Sequence, residues 1–210
     1  MKHIINLDTW IRKEHYSFFK DFQESFFGIT ANVDCTKAYK YAKDNNLSFF
    51  LYYMYKSLIA ANAIEEFRYR IEENKVVCYD KIHGSTTAMN ADDVFAFAFL
   101  AYTDTFDEYY KLAQQEMAKI KTISGMNINE DNGRLDVIHY STIPWISFTS
   151  LTSERNQSQS DSIPKMTFGK YFKDGNKLLL PLAIQVHHGL MDGFHVGKYY
   201  EIFQQLLDEN

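Results

Sequence analysis

Proline is scarce in this chain, three among 210 residues, and no Gly/Ser-rich stretch interrupts it. No linker therefore offers itself, and residues 1–210 read as a single domain. Cysteine is scarcer still. Cys35 and Cys78 stand far apart without CxxC spacing, which excludes a dithiol redox motif or a zinc ribbon and leaves two reduced, inert thiols as the expectation. No apolar stretch approaches twenty residues, so no membrane-spanning helix is expected. The opening MKHIINLDTW lacks the apolar region of a signal peptide, and the expected location is cytoplasmic. Basic blocks are absent too, and the net charge is −5, which argues against nucleic acid or a membrane surface as partner.

What is abundant is apolar and aromatic side chain: 46% hydrophobic and 16% aromatic, enough for a sizeable core. Periodicity predicts helices over 9–22 (capped by Asp8 or Thr9), 36–44, 49–64, 105–120 and 193–207. Strands are predicted at 28–35, 75–80 and 94–102, the last alternating cleanly enough to be half exposed, and then near 135–140, 145–150, 165–171 and 177–187. The polar stretch 152–162 reads as loop. This mixture of elements predicts an α/β fold, a two-layer sandwich with a mixed sheet.

The most informative segment is KLLLPLAIQVHHGLMDGFHVGKYY, residues 177–200. A buried apolar strand ends abruptly in His187 and His188, with Asp192 and Gly193 close behind. Imidazole is the side chain best suited to exchanging a proton near neutral pH. Adjacent strand residues face opposite ways, so only one of the pair serves a given pocket. A metal reading also exists, since His188, Asp192 and His195 would share a helix face if the helix began early. Gly193 inside that span argues against it, and no metal is expected.

The string HHxxxDGFHV after LLLPLAIQV resembles the active-site segment of the chloramphenicol acetyltransferases, within a wider HHxxxDG acyltransferase superfamily. TWIRKEH at 9–15, EFRYRI at 66–71, STIPWISF at 141–148 and MTFGKY at 166–171 agree with it in order along the chain. The resemblance implies an acetyl-CoA-dependent O-acetyltransferase working through a ternary complex. His188 would be the general base and Ser141 the donor to the oxyanion, and Asp192 would pair with Arg12 to shape the backbone around the base. His187 would be structural. Trp145, Lys170 and Tyr171 would lie along the coenzyme A channel, and Thr167 would order polar groups near the transition state. The resemblance also implies a homotrimer whose sites lie between subunits.

Several acceptor-pocket positions depart from the family pattern. Phe19 stands where tyrosine is common, His139 where asparagine is, and Leu151 and Ser153 where Phe and Leu occur. Phe50 and Ser48 likewise replace a tyrosine and a lysine. The acceptor is thus read as a small hydroxylated molecule, with chloramphenicol the first to test. Two alternatives stay open: an acyltransferase of the same fold with another alcohol or amine acceptor, and a non-catalytic small-molecule-binding protein. The intact His188, Ser141, Asp192 and Arg12 set speaks against the second.

Overall fold

The computed structural model describes residues 1–153 and 161–209. The fold is built on one long strand, β10 (Lys177–His187). It pairs antiparallel with β2 (Phe26–Asp34) on one side and with β8 (Lys165–Phe168) and β9 (Phe172–Asp174) on the other. Beyond β8 the order runs through β7 (Val137–Thr142) and β5 (His83–Met89) to the edge strand β6 (Phe95–Leu100). β7 pairs in parallel with both β5 and β8, so the sheet is mixed.

Helices cover one face of this sheet. α3 (Phe49–Asn62) is apolar all round and correspondingly buried, and its N-cap Ser48 accepts a hydrogen bond from the Leu51 N–H. Beside it pack α2 (Thr36–Asp44), α4 (Phe106–Ile120) and α5 (Gly193–Asp208). Leu182, Ile184 and Val186 of β10, Ile138 and Tyr140 of β7, and Met166 and Phe168 of β8 point into that helix-facing core. Since side chains alternate along a strand, His139, Ser141, Lys165 and Thr167 point the other way, to the face without helices. The architecture is the predicted two-layer α/β sandwich with a mixed sheet.

A second, three-stranded antiparallel sheet joins β1 (Lys2–Ile4), β4 (Lys75–Tyr79) and β3 (Tyr69–Glu72). Its core partners are Tyr16 of α1 (Lys13–Phe19) and Leu190 of the turn after β10. β3 is preceded by a 3₁₀ turn at Glu65–Arg68.

Several expectations are corrected. α1 is shorter than the predicted 9–22 helix, and neither Asp8 nor Thr9 caps it. Both are taken up in a turn around Asn6, and Arg12 stands at the N-cap without a side-chain cap bond. There is no strand at 145–150. Pro144 has no N–H to give, and the chain beyond it follows 168–170 through isolated bonds such as Lys170 N–H to Ile146 C=O. That close approach requires Gly169, where a Cβ would meet the Ile146 oxygen and the Phe148 ring at 3.0 Å. The predicted strand over 165–171 breaks there. Of the expected loop 152–162, residues 154–160 lie outside the described residues. Cys35 and Cys78 are buried free thiols, and burial pushes the Cys35 thiol up to about 12. Among the described residues, no helix is long and apolar enough to cross a membrane.

Candidate active site

His188 stands one residue past the end of β10, where the strand turns toward α5. Its backbone N–H still bonds the Ser25 carbonyl at 2.7 Å, which fixes the turn to the start of β2. The ring lies flat on Phe19, with centroids 4.2 Å apart and planes 14° apart, and Phe27 packs against it at 4.6 Å, tilted by 45°. His188 Nδ1 is 3.3 Å from the Met191 carbonyl oxygen. A carbonyl only accepts, so this bond puts a proton on Nδ1; in the neutral ring Nε2 is then the nitrogen that carries the lone pair.

His187 is placed differently. It is 2% exposed, packs edge-on against Phe26, and accepts the Gly189 N–H at Nδ1 over 3.1 Å. The consecutive residues Phe26 and Phe27 thus meet consecutive histidines, each on its own side of the sheet. Gly189 is required here, because a Cβ would approach the His187 ring at 3.0 Å and the Tyr16 backbone at 3.3 Å.

Asp192 caps α5, its carboxylate accepting the Phe194 N–H at 3.0 Å. Arg12 is 6% exposed and donates Nη1 to Asp192 Oδ2 at 2.8 Å and Nη2 to the His188 carbonyl at 3.2 Å. Partial burial pushes the Asp192 carboxyl up, but the hydrogen bonds from Arg12 and the Phe194 N–H and the Arg12 charge help hold the group below the usual carboxylate range. The early-helix metal arrangement does not form. α5 starts at Gly193, so His188 lies outside it, and His195 turns instead to Glu66 and Asp192. Among the described residues no group of three His, Cys, Asp or Glu is arranged to hold a metal.

Ser141 lies elsewhere in the chain, in a cavity of about 300 Å³ on the helix-free face. Strand register builds it. Ser85, His139 and Lys165 form one row across β5, β7 and β8, and Ser141 and Thr167 form the next. Phe97 and Ile128 supply apolar wall, and Ser153 also faces the space. Lys165 is paired at 2.9 Å with Asp161, both side chains 12% exposed. Neither His188 nor Phe19 lines this cavity. Phe19, expected in the acceptor pocket, stacks on the His188 ring. Leu151 is outside the cavity too, its carbonyl accepting from Gln185.

A second cavity, of about 360 Å³, opens on the other side of β7. Lys170 and Tyr171 line it together with Tyr39, Phe49 and Thr142. Trp145 is not among its lining residues and is 66% exposed. Sequence reasoning missed Ser85, Thr86, Lys165 and Asn132 as lining residues of the first cavity. It placed His195 with Asp192 only as a possible metal ligand, and it missed Glu66 as the partner of His195. Only its position inside the EFRYRI block could have pointed to Glu66.

The family model for chloramphenicol acetyltransferase matches residues 2–204. A chloramphenicol acetyltransferase from Proteus mirabilis is 30% identical over 207 residues, covering 98% of this chain and 94% of that protein. One from Escherichia coli is 31% identical over 208 residues, covering 98% and 93%. Among solved structures, a chloramphenicol acetyltransferase superposes with a TM-score of 0.92 at 33% identity, covering 99% of this chain and 100% of the other. A probable dihydrolipoamide acetyltransferase from Listeria monocytogenes shares the fold, with a TM-score of 0.68 at 14% identity. These likenesses show that the chain is an acyltransferase and belongs to the chloramphenicol acetyltransferase family.

Proposed function

We propose that this chain, acting as one domain, moves acetyl from acetyl-CoA to a hydroxyl of a small acceptor within a ternary complex. The observation that carries the reading is the His188 ring, whose Nδ1 is engaged by Met191, so that in the neutral ring Nε2 is the nitrogen able to take a proton. In the reaction the acceptor oxygen attacks the thioester carbonyl carbon as Nε2 removes its proton. The tetrahedral oxyanion takes a hydrogen bond from the Ser141 hydroxyl. Collapse breaks the C–S bond, and the imidazolium returns its proton to the coenzyme A thiolate. Asp192 and Arg12 do no proton chemistry and hold the His188 backbone in place. Thr167, paired across from Ser141, orders polar groups beside it.

Lys170 and Tyr171 in the second cavity suit the coenzyme: a cation for phosphate and an aromatic face for the pantetheine arm or adenine. Trp145, exposed and next to the cavity-lining Pro144, is assigned to the mouth of the same channel. The acceptor sits in the Ser141 cavity, with His139 and Thr167 against it.

His188 and the Ser141 cavity do not meet within one chain. The reading therefore includes a homotrimer in which His188 of one copy faces the Ser141 cavity of the next. Exposed apolar side chains support this. Phe18 (65% exposed) and Phe22 pack beside Phe19 at the base, and Val94 and Phe95 lie on the sheet edge. Such patches are a liability on a monomer. A cytoplasmic location completes the reading, acetyl-CoA being the co-substrate.

The test is thiol release from acetyl-CoA with and without chloramphenicol. Release that depends on chloramphenicol supports the reading, and none with any alcohol overturns it. One observation favours a second acceptor reading. The lining rows carry Ser85, His139, Lys165 and Thr167, which suits a polar alcohol or amine better than an apolar ring.

A further inference from the structure

The peptide unit between Met191 and Asp192 is held from both sides by imidazoles. Its C=O faces His188 Nδ1 at 3.3 Å, and its N–H donates to His195 Nδ1 at 3.1 Å. His195 is itself held, with Nε2 3.3 Å from the Glu66 carboxylate in the 3₁₀ turn before β3. We propose that His195, oriented by Glu66, is a positioning residue for the base His188 and acts through this single peptide unit. The proposal rests on the reading of His188 as the base.

Hydrogen-bond roles fix the direction of the chain of contacts. A neutral imidazole has one donor and one acceptor nitrogen. The Glu66 carboxylate can only accept, so the proton sits on His195 Nε2 and Nδ1 presents its lone pair to the Asp192 N–H. The hydrogen bond from His195 outweighs partial burial and holds the Glu66 carboxyl below its usual range, so it stays ionised and accepting at neutral pH. Giving its N–H to His195 polarises the peptide and makes the Met191 oxygen a stronger acceptor for His188 Nδ1–H. His188 is thereby kept in the one tautomer that leaves Nε2 able to take a proton. A doubly protonated His195 would break the relay, because its Nδ1–H would turn to Asp192 Oδ1, 3.0 Å away, and leave the Asp192 N–H without its acceptor.

An ordinary capping box makes the competing prediction. His195 occupies the third helical position of α5, where a side chain commonly bonds the N-cap N–H. A cap alone would change the stability of the helix and leave turnover of the folded enzyme untouched.

The experiment compares His195→Leu, His195→Gln and Glu66→Leu in the full assembly, with acetyl-CoA and chloramphenicol. His195→Leu should lower kcat about 10- to 100-fold, the scale of a misplaced catalytic group, with KM for acetyl-CoA within about twofold. Glutamine can accept the Asp192 N–H and donate to Glu66 at once, so His195→Gln should regain most of the lost kcat. Glu66→Leu should fall between the two. Carbethoxylation of His188, followed by peptide mass spectrometry, reads the Nε2 lone pair without any acceptor and should slow several-fold in His195→Leu. Folded His195→Leu with native kcat and native labelling overturns the proposal, as does His195→Gln impaired as deeply as His195→Leu. Where His195→Leu does not fold, a folded Glu66→Leu of native kcat and labelling overturns it. His188→Ala, run alongside, separates the two readings: if it retains activity, the base assignment itself fails.

Discussion

Arg12 and Asp192, 180 residues apart in sequence, meet at 2.8 Å, and the same guanidinium reaches the carbonyl of His188 at 3.2 Å. One buried cation thereby ties the start of α1 to the turn that carries His188. Asp192 contributes at both ends of this arrangement, pairing with Arg12 and capping α5. On the proposed mechanism the pair acts structurally, by fixing the backbone from which the His188 imidazole projects.

The pair predicts coupled behaviour. Arg12→Ala and Asp192→Asn should each lose about 1–3 kcal/mol of stability together with activity, less than the 3–5 of a wholly buried pair because Asp192 is about a third exposed. The double variant, measured by denaturant unfolding, should lose less than the sum. Strict additivity would show independent roles. The sign with pH follows from the lowered Asp192 carboxyl. Its contribution is present above the unfolded value of about 3.9 and is lost as pH falls through the lower folded value. The stability gap between the natural chain and Asp192→Asn should thus be steady at neutral pH and shrink only below about pH 4.

Ser141 predicts a loss confined to turnover. Ser141→Ala should slow kcat about 10²- to 10³-fold, the scale of one oxyanion donor. Acetyl-CoA affinity should hardly move, since the oxyanion exists only in the transition state. Collapsed affinity with preserved turnover would make Ser141 a binding residue.

The separation of His188 from the Ser141 cavity predicts assembly. Light scattering should give about three times the 24.6 kDa chain mass. Trimers formed by refolding His188→Ala together with Ser141→Ala should regain about a quarter of the native sites, because chance pairing places an intact His188 opposite an intact Ser141 at that frequency. A fully active monomer, or no recovery in mixed trimers, would contradict the shared site.

Much of the fold was legible because strong local signals agreed with the tertiary outcome. β10 is apolar along its length because both its neighbours and the helical layer bury it, and α2, α4 and α5 carry clean periodicity. β5 was not legible. Its residues, HGSTTAM, are small and polar because one face lines the Ser141 cavity, and no apolar alternation survives that duty. The predicted strand at 145–150 failed for the opposite reason, since PWISF has strand-like composition but follows Pro144 into a turn. The placement of His188, Asp192 and Arg12 followed from motif and resemblance. The bond from His188 to Met191 and the contact of Glu66 with His195 did not, because side chains far apart in sequence are brought together only by how α5 docks on the turn at Glu65–Arg68.

The assignment of the base is tested most directly by comparing His188→Ala with His187→Ala for acetyl-CoA-dependent turnover, with thermal unfolding measured on each. The account predicts a folded His188→Ala that has lost about 10²- to 10⁴-fold in kcat on every acceptor while still binding coenzyme A. It predicts that His187→Ala, which loses the bond to Gly189 and the contact with Phe26, is destabilised by about 1–3 kcal/mol and keeps near-native turnover while folded. A folded but inactive His187→Ala beside an active His188→Ala would contradict the account and move the site to the other side of the strand.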